Sequence, residues 1–182
     1  SNFNLAAGTY LTTVTDFNDC STVISTELTE PLALDLDNAL IGHPVCNGDT
    51  NGSITVTPMG GISGYDYSWS NGSTSQTISG LSEGEYTLTV TDSENCSQSA
   101  TYTLLDQTEL VISTSSTAES SPDAGDGTAT VVVLSGGTTP YEYEWSTGDL
   151  TATANNLISG AYAVTVTDAN GCSVDGMAVV SS

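Results

Sequence analysis

The chain has 182 residues, 22 of them acidic, a single histidine, no lysine or arginine, and a formal net charge of −22. Nothing in it can neutralise a phosphate backbone or an anionic lipid headgroup, which excludes nucleic acid and acidic membrane surfaces as partners, and trypsin-like proteases find no site. His43 has no second histidine, no lysine and no Gly-framed serine to work with, so no nucleophile can be set beside a base and the chain reads as non-enzymatic. Paired carboxylates such as Glu83 and Glu85 read as solvated surface, not as a glycosidase pair.

Residues 1–30 close a pattern that the chain then repeats. Leu5, Gly8, Tyr10, Val14, Thr15, Asp16 and Cys20 return as Leu81, Gly84, Tyr86, Val90, Thr91, Asp92 and Cys96, and again as Leu157, Gly160, Tyr162, Val166, Thr167, Asp168 and Cys172. The interval is 76 residues both times (92 − 16 and 168 − 92), the size of a small domain with its own core and too long for a solenoid repeat. An upstream block, Gly60-Gly61, Tyr65, Tyr67, Trp69 and Gly72, recurs as Gly136-Gly137, Tyr141, Tyr143, Trp145 and Gly148 but has no counterpart ahead of the first signature. Residues 1–30 therefore read as the C-terminal part of an incomplete β-sandwich, too short to bury a core alone. A piece of a longer array is the expectation, with completion by another copy's strands as the alternative.

Residues 31–107 read as one complete repeat. Ile54 and Val56 alternate with Ser53, Thr55 and Thr57; Tyr65, Tyr67 and Trp69 with Asp66, Ser68 and Ser70; Tyr86, Leu88 and Val90 with Thr87, Thr89 and Thr91. This period of two is the mark of half-buried strands. Residues 108–182 follow the same plan, with Tyr141, Tyr143 and Trp145 against Glu142, Glu144 and Ser146. Steps such as Asn51-Gly52, Asn71-Gly72, Asp126-Gly127 and Asn170-Gly171 supply the positive φ that tight turns need.

No helical period is present. The expected fold is all-β: tandem immunoglobulin-like antiparallel β-sandwiches of about seven strands each. The junctions at Thr29-Glu30-Pro31 and Asp106-Gln107-Thr108 are short enough to predict a rod. The Leu-x-x-Gly-x-Tyr step marks Tyr10, Tyr86 and Tyr162 as tyrosine corners, and Trp69 and Trp145 as core fillers.

Three of the four cysteines, Cys20, Cys96 and Cys172, belong to the repeated signature, and the fourth, Cys46, is the candidate disulfide partner of Cys96 within the complete repeat. The competing reading is free thiols, because immunoglobulin topology sets the two loops at opposite poles and a bridge needs Cα atoms within about 7 Å. In the last repeat Ser121 stands where Cys46 would. The acidic turns at Asp16, Asp92 and Asp168 recur once per repeat and offer the hard oxygens that calcium uses. They lack EF-hand spacing, and turn formation alone accounts for Asp and Asn there. No other cofactor is expected.

Taken together, Cys46-Asn47-Gly48, Asn51-Gly52-Ser53-Ile54-Thr55-Val56, Gly60-Gly61, Tyr65 to Trp69, Asn71-Gly72, Leu81-x-x-Gly84-x-Tyr86 and Val90-Thr91-Asp92 to Cys96 resemble the SprB repeat of large Bacteroidota surface adhesins. The Asp168-Ala169-Asn170-Gly171-Cys172 turn and the Glu30-Pro31 junction are similar too, so the resemblance covers essentially the whole chain. It implies an extracellular, cell-surface filament or adhesin, exported by the type IX route, tied to the outer membrane through other parts, and used in gliding by some species. It brings no catalytic residues.

The expected partners are neighbouring repeats, other copies in a filament and surface glycans, with no direct membrane insertion. The alternative is a structural subunit of an extracellular fibre completed by strand donation between chains. The third repeat departs from the pattern by its missing cysteine and by an extra residue in Thr130-Val131-Val132-Val133-Leu134.

Overall fold

A computed structural model describes residues 5–182, so Ser1 to Asn4, at the head of the expected first segment, lie outside the described residues. The described residues form fourteen strands and no helix. The first two, β1 (Gly8–Thr15) and β2 (Ser21–Leu28), make an antiparallel hairpin that pairs in register from Gly8 with Leu28 to Thr15 with Ser21.

The next six strands build a two-layer sandwich. β3 (Ala39–Gly42), β4 (Gly52–Val56) and β6 (Thr77–Leu81) form one sheet in the order β3-β4-β6, while β5 (Asp66–Trp69), β7 (Gly84–Thr91) and β8 (Ser97–Leu104) form the other in the order β5-β7-β8. Period two puts Ile54 and Val56 on the inner face of the first sheet, and a register shift at Gly80, with φ 71°, brings Leu81 to the same face as Ile78; opposite them lie Trp69, Leu88, Val90 and Leu104 on the second. Each such side chain taken fully out of water contributes about 1.5–3 kcal/mol before the entropy of ordering it. The rings of Trp69 and Tyr102 lie with centroids 5.9 Å apart, and the Tyr102 hydroxyl donates to the carbonyl of Leu36 at 2.7 Å.

The plan then repeats. β9 (Val111–Thr117), β10 (Gly127–Ser135) and β12 (Thr153–Leu157) face β11 (Glu142–Trp145), β13 (Gly160–Thr167) and β14 (Ser173–Val180), and Ala129, Val131, Trp145, Val164, Val166 and Val180 fill the space between. In immunoglobulin lettering each unit is sheet A-B-E on sheet C-F-G.

Six strands per unit replace the seven expected, and the missing one is the edge strand D. The Trp69 indole N–H donates to Ser75 O at 2.8 Å and that of Trp145 to Thr151 O at 3.0 Å. Each bond draws the chain after β5 or β11 down onto the tryptophan and straight on into β6 or β12.

The extra residue of the third repeat also has a place. In the first unit the A strand breaks after Asp35, which pairs with Met59, and restarts as β3 at Ala39. In the second unit β9 runs unbroken, and the additional residue appears on its partner as a register shift between Val133 and Ser135. One unit bulges on strand A and the other on strand B, so the 76-residue spacing of the signatures survives.

The chain enters both units in the same way. Gly60 and Gly136 have φ of 72° and 74°, open to glycine at little cost. A Cβ on either would collide with the incoming backbone, at Ala33 O and Glu109 O respectively. The Tyr65 and Tyr141 hydroxyls donate to the carbonyls of Gly60 and Gly136 and hold both turns.

Candidate functional site

The tyrosine and tryptophan candidates occupy architectural positions. The hydroxyls of Tyr10, Tyr86 and Tyr162 donate to the carbonyls of Ala6, Ser82 and Ile158 at 2.7, 3.2 and 3.0 Å, each four residues back. Trp69 and Trp145 lie in the two cores, 3 % and 2 % exposed.

Asp16, Asp92 and Asp168 each open the turn that ends in the signature cysteine, and each turns its carboxylate inward onto backbone. Asp92 Oδ1 accepts the N–H groups of Glu94 and Cys96 at 3.0 and 2.8 Å and Oδ2 that of Ile62 at 3.0 Å. Asp168 repeats this with Asn170 and Cys172 at 2.9 and 2.8 Å and Thr138 at 2.7 Å. Asp16 takes Asn18 and Cys20 at 2.8 and 2.9 Å.

For Asp92 the N–H of Ile62, aided by those of Cys96 and Glu94, outweighs burial and holds the pKa below the ordinary carboxylate value. For Asp168 burial is the largest influence and pushes upward, but the N–H groups of Thr138, Cys172, Asn170 and Gly171 together overcome it, and the pKa is again lowered. These oxygens organise turns, and among the described residues no three His, Cys, Asp or Glu side chains converge as a metal site.

The cysteines depart from expectation. Cys46 is bonded to Cys172, not to Cys96, with Cα atoms 5.5 Å apart and a sequence separation of 126; Cys96 and Cys20 are free and exposed. The physical reason is topology. Cys46 lies in the β3–β4 loop, at the pole where Gly52 abuts Leu81 and the end of β8 at Leu104. Cys96 precedes the other end of β8, eight residues away, which at about 3.4 Å per residue is some four times the reach of a disulfide. Strand β8 then carries the chain back to the Cys46 pole, where the next unit begins, and the next unit's signature turn is the one that Cys46 meets.

The loop and the linker are fitted to each other. Asp49 closes the Cys46 loop by donating its N–H to Cys46 O at 3.0 Å, with Gly48 at φ 76°. The Asn47 amide donates to Asp106 Oδ2 at 2.7 Å and to Gln107 O at 3.1 Å, and the Gly48 N–H to Asp106 Oδ1 at 3.2 Å. A surface cleft at this junction is lined by Cys46, Asn47, Thr108, Gly137, Asp168 and Cys172 among others.

Sequence reasoning did not find the bridge or the Asn47–Asp106 contact. The signal was there: once the A–B loop and the F–G turn are put at opposite poles, the next unit's signature is the nearest source of a thiol. The second unit's own loop keeps the fold of the first, with Ala124 N–H donating to Ser121 O at 3.0 Å and Asp123 at φ 64°, but Ser121 offers no sulfur. Where the first unit buries Pro44, the second buries Glu119, whose carboxylate accepts the N–H groups of Ser159 and Gly125. Burial pushes its pKa up, and these bonds, with one from Ser159's side chain and the Asp123 N–H, bring it below the ordinary value.

No curated protein matches the chain. Similar solved structures include an amphioxus IgVJ-C2 molecule, 16 % identical over 81 % of this chain and 98 % of that one, with a TM-score of 0.31. They also include Dpr2 Ig1-Ig2 in complex with DIP-Theta Ig1-Ig3, at 12 % identity, 96 % and 72 % coverage and a TM-score of 0.32. The N-terminal eight Ig domains of Down Syndrome Cell Adhesion Molecule match at 16 % identity and a TM-score of 0.31, with 96 % of this chain covered against 30 % of that one.

The family model for the SprB repeat matches residues 44–74, from Pro44 beside the bridging cysteine through β4 and β5, and residues 123–150, through β10 and β11. One match falls in each six-stranded unit.

Proposed function

We propose that the chain is a repeat segment of a secreted bacterial cell-surface filament or adhesin, in which units 31–107 and 108–182, preceded by the partial unit 1–30, supply reach and stiffness and present a surface for adhesion. The observation that carries this reading is the Cys46–Cys172 bridge joining one SprB-repeat unit to the next, because a covalent tie across a short linker restricts the hinge that successive domains otherwise keep. Export by the type IX route, a place in gliding, outer-membrane attachment through other parts and glycan ligands belong to the same proposal; catalysis and a resident cofactor do not. Small-angle X-ray scattering of the oxidised and reduced chain tests the mechanical part. An elongated particle that becomes more variable on reduction supports it, and a compact particle insensitive to reductant removes it. A glycan array on the same chain tests adhesion, since silence across it leaves a spacer.

A second reading, a fibre completed by strand donation between copies, draws on the β1–β2 hairpin. Val14 is 52 % exposed and Leu28 38 %, whereas their equivalents Val90 and Leu104 are 0 % and 1 % exposed in the complete unit. Sedimentation decides this reading: a chain that stays monomeric at high concentration counts against it.

A further inference from the structure

We infer that Cys96 is a cross-linking site, and that its partner is a cysteine on the Cys46-type loop of a repeat lying N-terminal to it. The first ground is within the chain: the thiol at the equivalent position, Cys172, is bonded to such a loop. The second is the junction around it. The segment entering the first unit lies on the Gly60-Gly61 turn as its counterpart lies on Gly136-Gly137. A Cβ on Gly60 would strike Ala33 O and one on Gly136 Glu109 O, while Gly61 and Gly137 face Leu34 and Leu110. The Asp92 carboxylate holds the Cys96 N–H at 2.8 Å, as Asp168 holds that of Cys172. The pole that receives Cys46 in the second unit is thus present in the first, with its thiol exposed and free.

Each cross-link joins two Sγ atoms while a small-molecule disulfide, oxidised glutathione in the test below, takes up the two electrons and two protons and leaves as two thiols. Ser121 at the matching place in the second unit means that this unit accepts a bridge and offers none, so the cross-linked series is interrupted after it.

The inference rests on the chain being built from equivalent repeats and not on its adhesive role, so a silent glycan array leaves it standing. Two chains test it, refolded in a glutathione redox buffer, alkylated without reduction and weighed by mass spectrometry. In the first, residues 31–106 are duplicated after Asp106, so that the seam Asp106-Pro31 mimics Glu30-Pro31. The native chain has two free thiols and one bridge, and the duplicated chain, with two more cysteines, is expected to keep two free thiols and gain a second bridge. Cys46→Ser in the first copy should then release one thiol.

In the second chain, residues 31–76 are fused ahead of Ser1, which completes the partial unit. Cys20 should be its only free thiol, with Cys96 joined to the added loop. Four free thiols in the first chain, or three in the second, overturn the inference. The retained Cys46–Cys172 bridge reports folding in both, and the two chains have different seams, so misfolding at one leaves the other to decide.

Discussion

In the Asp92–Cys96 turn and the Asp168–Cys172 turn a carboxylate takes the same two N–H groups at nearly the same distances, yet one cysteine is bridged across a domain boundary and the other is free. What differs is the neighbour. The turn is a property of the unit, fixed by an Asx-type closure that needs only local sequence; the bridge is a property of the junction and needs a loop that another unit supplies. A repeated signature can therefore encode an attachment point whose use is visible only between copies.

The largest effect that separates the two units comes from their cores. Trp69→Ala should cost about 3–5 kcal/mol in the first unit and leave Trp145 as the sole fluorescent reporter of the second. In denaturant, circular dichroism should then show an early transition that Trp145 fluorescence does not follow, and a single coincident transition would mean that the units unfold as one. Next comes the junction. Reduction, or Cys172→Ser, should lower stability by about 2–4 kcal/mol while leaving the strand signal intact, whereas Cys96→Ser should change nothing measurable by thermal melting.

The acid response is smaller and has a definite sign. Asp92 and Asp168 have native pKa values below their ordinary ones. Between the native and unfolded values the unfolded chain binds more protons, so stability rises with pH there. The contribution is complete above about pH 4 and is lost as pH falls through the native values. Asp92→Asn and Asp168→Asn should flatten the acid side of a Tm-against-pH profile, and Asp168→Asn alone should also slow re-formation of the Cys46–Cys172 bridge after reduction. The smallest effect is the corner. Tyr86→Phe and Tyr162→Phe each remove one bond to a carbonyl and should lower stability by about 1 kcal/mol, equally in both units, as read by urea midpoints.

Much of this was legible in the chain because the signals are local. The alternation of Leu88 and Val90 with threonines marks a strand facing a core, and both residues are fully buried. Tyr86 and Trp69 announce a corner and a core by the residues around them. The strand count was less legible, because the loss of strand D depends on an indole bonding to Ser75 O, a contact with no mark in residue type.

The pairing of Cys46 was illegible as long as the repeat was taken as the unit of pairing, since its partner lies 126 residues on. The Asn47–Asp106 contact is illegible for the same reason, its residues being 59 apart and meeting only at the junction. Glu119 lies in the place of a buried proline, and a carboxylate is tolerated there because Ser159 from a distant turn and Gly125 from its own loop donate to it.

The Cys46–Cys172 bridge also decides where tension would travel. A pull on the two ends of this chain reaches Cys46, crosses to Cys172 through the sulfurs, and leaves by β14, bypassing the linker at Asp106-Gln107 and most of both sandwiches. The polypeptide between the two cysteines becomes slack that cannot be paid out by unfolding. At about 3.5 Å per residue, its 126-residue separation amounts to on the order of 400 Å of contour length. Between its two bridged cysteines an oxidised chain is then a short tether, and the same stretch under a reductant is a long one.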